Sequence, residues 1–348
     1  MTTLFSHATV LCMDEAGTVL QDGYVLVRGR EIAYVGPIRP QERADREVNA
    51  TGKVLMPGFV DAHTHLTMSL MRGYGGGHDL QTWLNDYIFP VEAKLDSRAV
   101  RAGTALSLAE AIADGVTSVS DMYYFCDDII AEVVKSGISA NIARGATVFT
   151  EDFFPEAYPA CAETRQLTEK WHNYNDGQIK IDACIHGEYT SNPKLWTWMA
   201  DFARSHGLQM HVHLSETKAE QEGCLQRHGM TPAAVFERYG LWDTPAIAAH
   251  CVWTTPEDWE ILRRHGVTAV HNPASNMKLA SGAAPVAQLL TAGVNVALGT
   301  DGMSSNDNHS MFEEMKLAAL LARVTSLDPL ALRDDTVLKM ATVNGARA

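Results

Sequence analysis

The sequence Phe59-Val-Asp-Ala-His-Thr-His-Leu66 ends a short apolar stretch that begins at Val54. The stretch is rich in β-forming residues and is bounded by glycine, so we predict that it is a buried strand. Side chains alternate between the faces of a strand, so His63 and His65 point the same way. Two such imidazoles can bind a metal ion, but paired histidines also occur as hydrogen-bonded core or surface residues. The rest of the chain favours the metal site.

Seven further strand-like segments follow this first strand, and helical patterns separate them. The segments are residues 116–122, 138–144, 179–186, 209–213, 246–250, 267–271 and 294–301. The predicted helices are 97–114, 127–136, 160–174, 193–206, 218–239 with a break near Gly229, 255–265, 285–292 and 310–324. Eight strands that alternate with helices predict an α/β protein with a (β/α)₈ TIM-like barrel. An open doubly wound sheet is the alternative, but the first strand is not followed by a glycine-rich phosphate-binding turn.

The residues before this barrel have a different pattern. Alternating apolar and polar residues flank a turn at Gly29-Arg30, which predicts a half-buried hairpin. We therefore predict two domains: residues 1–56 as the N-terminal part of an accessory β-sandwich-type domain, and residues 57–348 as the barrel. The sequence ends within a predicted helix, so the sandwich is expected to be incomplete at the C-terminus.

Composition and charge exclude several classes of partner. The chain has 348 residues, of which 46% are hydrophobic, and this is enough for one large core. A formal net charge of −14 argues against nucleic acid and anionic membranes, since both require a basic surface. The six cysteines form no Cys-x-x-Cys pair, and neither a secretory signal nor a membrane span is visible. These features predict a cytoplasmic protein with reduced thiols and a small, neutral or cationic substrate.

Polar residues gather at the predicted carboxyl ends of the barrel strands, where barrels carry their chemistry. These residues are His63, His65, His186, His213, His250, His271 and Asp301. Three imidazoles and a carboxylate, with one position left for water, form a catalytic site for a divalent metal such as Zn²⁺. We predict His63, His65, His213 and Asp301 as the ligands. His211 shares a face with His213 but lies one layer deeper, so it is expected either to be a core residue or to support the ligands from behind.

Two further residues at the carboxyl ends of the barrel strands are candidates for roles in proton transfer. Glu216 follows the predicted ligand His213 by three residues, which places a carboxylate within reach of a metal-bound water and a substrate nitrogen. Alternatively, Glu216 serves only as an acidic residue near the start of the helix at 218. His250 is predicted to hold the attacking water by a hydrogen bond, or else to be a buried structural histidine.

Several of these motifs together resemble the amidohydrolase superfamily, and more narrowly its 5-methylthioadenosine/S-adenosylhomocysteine deaminase branch. They are the segments Pro57–Leu66 and His213–Glu216, His250, the loop from His271 to Gly282, and Gly299–Gly302. The resemblance implies an enzyme with a metal-bearing barrel beside a β-sandwich that replaces the adenine 6-amino group by oxygen and releases ammonia. It also implies that Glu216 passes a proton to the ring nitrogen, that Asp301 accepts the proton of the attacking water, and that His250 steadies this water.

The resemblance extends to substrate contacts and to the number of metal ions. It implies that Trp83 walls the pocket, that Glu92 hydrogen-bonds the ribose hydroxyls, and that Arg144 and His186 also contact the nucleoside. The alternatives are a helix-packing aromatic for Trp83, a solvated charge for Glu92 and an ion-pair partner for Arg144. A dinuclear centre in such barrels usually needs a lysine at the end of strand 4, where this chain has His186. We therefore expect one Zn²⁺ per subunit, although Fe²⁺ or Mn²⁺ would accept the same donors. Barrels of this kind also commonly form homo-oligomers.

The resulting hypothesis is a metal-dependent hydrolytic deaminase of an adenosine-type nucleoside: 5′-methylthioadenosine, S-adenosylhomocysteine or adenosine. A second hypothesis keeps the fold but makes the substrate a free heterocycle, namely guanine, 8-oxoguanine, cytosine or an s-triazine. A third is a non-catalytic barrel that serves as a scaffold. Glu92 separates the first two hypotheses, because a base without ribose offers this carboxylate no partner.

Overall fold

The first 58 residues form a single sheet of five strands. The computed structural model describes all residues from 1 to 348 and divides the chain into two compact units, Met1–Gly58 and Phe59–Ala348. The strands of the first unit are Thr2–Leu11, Val19–Arg28, Glu31–Gly36, Arg46–Asn49 and Val54–Leu55. The strand Thr2–Leu11 pairs antiparallel with the second strand and parallel with the last two. The predicted hairpin forms around Gly29, which has a left-handed φ of +61°.

The second unit is the predicted (β/α)₈ barrel, which the structure confirms. We number its strands 1 to 8: Phe59–His65, Val116–Tyr123, Ser139–Arg144, Ile179–Cys184, Met210–Leu214, Ala246–His250, Thr268–His271, and an eighth in two pieces, Asn295–Leu298 and Asp301–Gly302. Neighbouring strands pair in parallel in chain order. The first piece of strand 8 pairs with strand 7, and the second piece pairs with strand 1. Strand 8 therefore closes the barrel by pairing with both strand 7 and strand 1.

Helices and turns connect the strands, and the longer helices follow the predicted pattern. They are Leu66–Met71, Leu80–Thr82, Trp83–Ile88, Phe89–Glu92, Ser97–Ala113, Cys126–Ser136, Pro155–Ala157, Pro159–Trp171, Tyr174–Gly177, Glu188–Thr190, Pro193–His206, Lys218–His228, Pro232–Arg238, Pro256–His265, Pro273–Lys278, Val286–Thr291, Met303–Asn306, Met311–Ser326, Asp334–Met340 and Gly345–Arg347. The segment Trp83–Ile88 has π-helical geometry, and Tyr174–Gly177 is an irregular turn. None of these helices combines the length and apolar character required to cross a membrane.

The first predicted strand differs from the observed structure. Residues 54–62 were expected to be continuous, but Val54–Leu55 pairs within the first sheet and Phe59–His65 begins the barrel. The break falls at Met56-Pro57-Gly58. Proline lacks the N–H that a ladder requires, so the strand cannot continue through Pro57.

A hydrogen-bonded pair fastens strand 8 to strand 1. The buried carboxylate of Asp61 accepts hydrogen bonds from the Thr300 amide at 2.9 Å and from the Thr300 hydroxyl. The hydroxyl also contacts Nδ1 of His309 at 2.9 Å. Thr64 on strand 1 donates its hydroxyl to the Asp301 carbonyl at 3.1 Å. These bonds fix the backbone of the break in strand 8 immediately before Asp301.

Gly299 lies at this break, where the two backbones approach closely. A Cβ atom on Gly299 would lie 2.7 Å from the His63 carbonyl oxygen and 2.9 Å from its nitrogen. We therefore expect Gly299→Ala to lower the free energy of unfolding by about 1–3 kcal/mol, because a backbone contact cannot yield as a side chain can. Denaturant unfolding would measure this loss. Gly76→Ala is the control, since nothing lies within 4 Å of a Cβ there; equal stability of the two variants would contradict the prediction.

Candidate active site

The predicted metal ligands meet at the carboxyl end of the barrel. Nε2 of His63 lies 3.5 Å from Oδ1 of Asp301, and Nε2 of His65 lies 3.2 Å from the same oxygen. The donor atoms of His63, His65 and His213 lie within 4.8 Å of one another, and those of His63, His250 and Asp301 do so as well. The fold thus brings together side chains from the carboxyl ends of strands 1, 5, 6 and 8.

Outer hydrogen bonds set the orientation of two of these imidazoles. Nδ1 of His213 donates to the His186 carbonyl at 2.7 Å, and Nδ1 of His65 donates to the Met122 carbonyl. Because a carbonyl can only accept, each Nδ1 carries the proton and each Nε2 keeps a free lone pair. Nε2 of His63 is buried and has no hydrogen-bond partner. A cation bound among these nitrogens would satisfy all three lone pairs, so the donor set fits a divalent metal.

Asp301 completes the donor set as an ionised carboxylate. Its Oδ2 accepts hydrogen bonds from the Ser275 hydroxyl at 2.6 Å and the Ser305 hydroxyl at 3.2 Å. Burial raises the pKa of Asp301, but the His63 and His65 imidazoles outweigh burial and hold it well below its usual value. Oδ1 faces these two imidazoles and is the oxygen available to a cation.

The backbone bends sharply where the strands reach the site. Ser215, His250, Cys251 and Asp301 have φ angles of +50°, +74°, +49° and +59°. Left-handed backbone at a residue other than glycine costs of order 1–3 kcal/mol and persists only where the surroundings hold it. At the end of strand 6, the Cys251 amide donates to the Leu214 carbonyl at 2.9 Å. Two of these four residues, His250 and Asp301, are predicted functional residues, and the other two adjoin Glu216 and His250.

Glu216 lies at the same carboxyl end of the barrel and is buried. Its Oε2 is 3.8 Å from Nε2 of His250, and its Oε1 accepts a hydrogen bond from the Ser281 hydroxyl at 3.3 Å. Burial raises the pKa of Glu216, an effect that the neighbouring His250 imidazole opposes. A carboxyl group with a raised pKa keeps its proton to a higher pH than a free glutamic acid does and can then pass it to an acceptor.

Sequence reasoning missed the residue that holds Glu216 in place. The Glu220 carboxylate accepts the backbone N–H of Ser215 and that of Glu216, each at 2.8 Å. Thr217 caps the following helix by accepting the Glu220 amide at 3.2 Å. The pattern Thr217-x-x-Glu220 is a capping-box signature and could have indicated this role.

His250 and His211 support the site in different ways. Nδ1 of His250 donates to the Asn276 side-chain oxygen at 2.9 Å, which leaves Nε2 directed at Glu216. Nε2 of His211 lies 2.8 Å from Nδ1 of His63. His211 therefore contacts the side of His63 away from Asp301, behind the site as expected.

A cavity opens from the metal-ligand cluster, and three of the four predicted substrate contacts line it. They are Trp83, Glu92 and His186. Burial raises the pKa of Glu92 to about 7, and the neighbouring Tyr123 hydroxyl opposes this shift. Tyr123 and Tyr189 also line the cavity, but nothing in their sequence context separated them from other core aromatics.

Arg144, the fourth predicted contact, does not line this cavity. Its guanidinium donates to the Glu163 carboxylate and to the Gly145 carbonyl, and it lies 4.8 Å from the centre of the Tyr124 ring. It borders a neighbouring groove instead. The structure thus places Arg144 one layer outside the site.

Comparison with known proteins adds independent evidence. Residues 54–348 match the amidohydrolase family. The chain is 40% identical over 348 residues to the 5-methylthioadenosine/S-adenosylhomocysteine deaminase of Thermoanaerobacter pseudethanolicus, covering 100% of this chain and 80% of that protein. It is 39% identical over 345 residues to the 5′-deoxyadenosine deaminase of Methanosarcina mazei, covering 99% of this chain and 79% of the relative.

A solved structure also superimposes on nearly the whole chain. The zinc-bound crystal structure of an adenosine deaminase from Xanthomonas campestris matches with a TM-score of 0.93 and 33% identity, covering 99% of this chain and 79% of that one. The family match extends over most of the sequence and includes every residue of the barrel. This chain belongs to the amidohydrolase family.

Proposed function

We propose that this chain is a metal-dependent hydrolytic deaminase that converts an adenosine-type nucleoside into its inosine analogue and ammonia. The observation that carries the proposal is the convergence of three imidazole lone pairs, the Asp301 carboxylate and the buried Glu216 on one cavity. The relatives named as deaminases of 5-methylthioadenosine, S-adenosylhomocysteine and 5′-deoxyadenosine support the same substrate class.

His63, His65, His213 and Asp301 are the proposed ligands of one divalent cation, and we favour Zn²⁺. Neutral imidazoles and a carboxylate suit Zn²⁺, and the adenosine deaminase from Xanthomonas campestris was solved with bound zinc. When bound, such a cation supplies a Lewis acid that lowers the pKa of a bound water to about 7. The outer hydrogen bonds of His65 and His213 keep the ligating nitrogens in place.

Three side chains are proposed to move or hold protons during the reaction. Asp301 accepts a proton from the attacking water, and Glu216 donates one to the purine ring nitrogen. Nε2 of His250, held by Asn276, steadies the water by a hydrogen bond. Water oxygen replaces nitrogen at C6, and the two protons of the water end on the ring nitrogen and on the departing amino group.

The nucleoside itself is proposed to lie along the cavity between the ligand cluster and Glu92. With the 6-amino group at Asp301 and Glu216, the ribose reaches Glu92, whose carboxylate can accept from two neighbouring hydroxyls. Trp83 forms a buried apolar wall of this cavity, and His186 stands beside His213 with ring centres 4.6 Å apart. Burial lowers the pKa of His186 to about 3, so this contact is an uncharged imidazole.

Removal of the metal is the first test. We expect dialysis against a chelator to abolish the absorbance change of the adenine chromophore with adenosine, 5′-methylthioadenosine and S-adenosylhomocysteine, and Zn²⁺ to restore it. Elemental analysis should find one metal ion per chain. Full turnover by the metal-free protein would contradict the proposal.

Glu216→Gln tests the proton donor. We expect kcat to fall at least about 10²-fold, because a glutamine cannot give a proton to the ring nitrogen. The metal content should stay unchanged, since Glu216 is not a proposed ligand. Glu222→Gln on the following helix is the control, because Glu222 is exposed and pairs only with Lys218. Metal loss in Glu216→Gln would mean that Glu216 is itself a ligand.

Glu92→Gln separates a nucleoside from a free heterocycle as substrate. Losing a charge-assisted hydrogen bond should raise KM for nucleosides about tenfold or more. Because the pKa of Glu92 is raised to about 7 by burial, its carboxylate form prevails only above that pH. The wild-type KM should therefore fall as pH rises through about 7, and the variant should lose this dependence. Asp86→Asn, at an exposed position, is the control; an unchanged KM in Glu92→Gln would favour the free heterocycle.

A further inference from the structure

A second cavity continues outward from the active-site cavity. The two share Phe89, Glu92 and Tyr124 as walls. We call the second cavity the outer pocket; it has a volume of about 400 Å³ and is completed by Ala93, Phe125, Thr147 and Phe149. A molecule held at Glu92 can therefore extend into the outer pocket without leaving the protein surface.

The walls of the outer pocket are aromatic and carry no positive charge. Glu92 is its one charged residue, and no lysine, arginine or histidine lines it. The sequence from Thr147 to Thr164 contains neither lysine nor arginine. Arg144 lines the adjoining groove, which shares Glu92, Ala93, Tyr124 and Phe125 with the outer pocket, but its guanidinium is already bound to Glu163. A carboxylate entering this pocket would lose water and meet Glu92 without gaining a cation.

Phe149 and Phe125 leave apolar surface open at this pocket. Phe149 is 76% exposed and Phe125 is 42% exposed. Apolar ligand atoms placed between these rings would remove surface from water on both sides, which is the main source of affinity in such pockets. The pocket therefore suits an uncharged apolar group.

We propose that the outer pocket binds the 5′-substituent of the nucleoside and selects an uncharged apolar group, such as an alkylthio group, over one that bears a carboxylate. This inference rests on the proposed function, which places the 6-amino group at Asp301 and the ribose at Glu92. Since Glu92 belongs to both cavities, the 5′-carbon of a ribose bound there faces the outer pocket. Phe149 is then a specificity-determining residue that contacts the tail but not the reacting atoms.

The test compares kcat/KM for 5′-methylthioadenosine with kcat/KM for adenosine. We expect the wild type to prefer the methylthio compound, and Phe149→Ala to reduce that preference about tenfold, as expected for loss of one small apolar contact. Phe154→Ala is a matched control, because Phe154 is 75% exposed on the same loop and lies outside the pocket. The inference is wrong if both variants keep the wild-type ratio.

A gain-of-function variant examines the charge argument separately. Thr147→Arg places a cation on the pocket wall, so it should raise kcat/KM for S-adenosylhomocysteine relative to 5′-methylthioadenosine. Wild-type protein that prefers S-adenosylhomocysteine would overturn the inference while leaving the deaminase proposal intact. Wild-type protein that deaminates none of the three nucleosides would instead refute the proposed function.

Discussion

The hydrogen bonds between Asp61 and Thr300 are the constraint on which the rest of the structure depends. They join the first and last strands of the barrel at the point where strand 8 breaks. The residues before the break pair with strand 7, and those after it pair with strand 1. At the same break, the Asp301 side chain points toward the carboxyl end of the barrel, where it faces His63 and His65. Closure of the barrel between strands 8 and 1 therefore also brings Asp301 to His63 and His65.

The active site is held from behind by groups that never face the substrate. Backbone carbonyls orient His65 and His213, and Glu220 holds the turn that carries Glu216. Left-handed backbone at three strand ends is retained within this network. The strain and its support together fix the direction of each functional side chain, which is what preorganised electrostatic catalysis requires.

The sequence predicted the barrel because strand and helix periodicities are strong signals, and it predicted the histidine cluster because parallel strands end at one face. It did not predict the break at Pro57 or the short helices from Leu66 to Glu92, since tertiary packing decides such segments. The support that Glu220 gives to the turn at Glu216 was missed, although the capping-box pattern Thr217-x-x-Glu220 could have indicated it. The position of Arg144 also could not be read from the sequence, because Glu163 lies in a different element and binds its guanidinium only in the folded chain.

The distance along the chain between the members of this cluster has a consequence for biosynthesis. Asp61 and Thr300 are 239 residues apart. His63 lies two residues after Asp61, and Asp301 directly follows Thr300. A nascent chain on the ribosome contains His63 and His65 long before Asp301 is translated. The full set of donors can form only after strand 8 has emerged and the barrel has closed. Assembly of the four predicted donors is therefore a late step in folding that requires translation through residue 301.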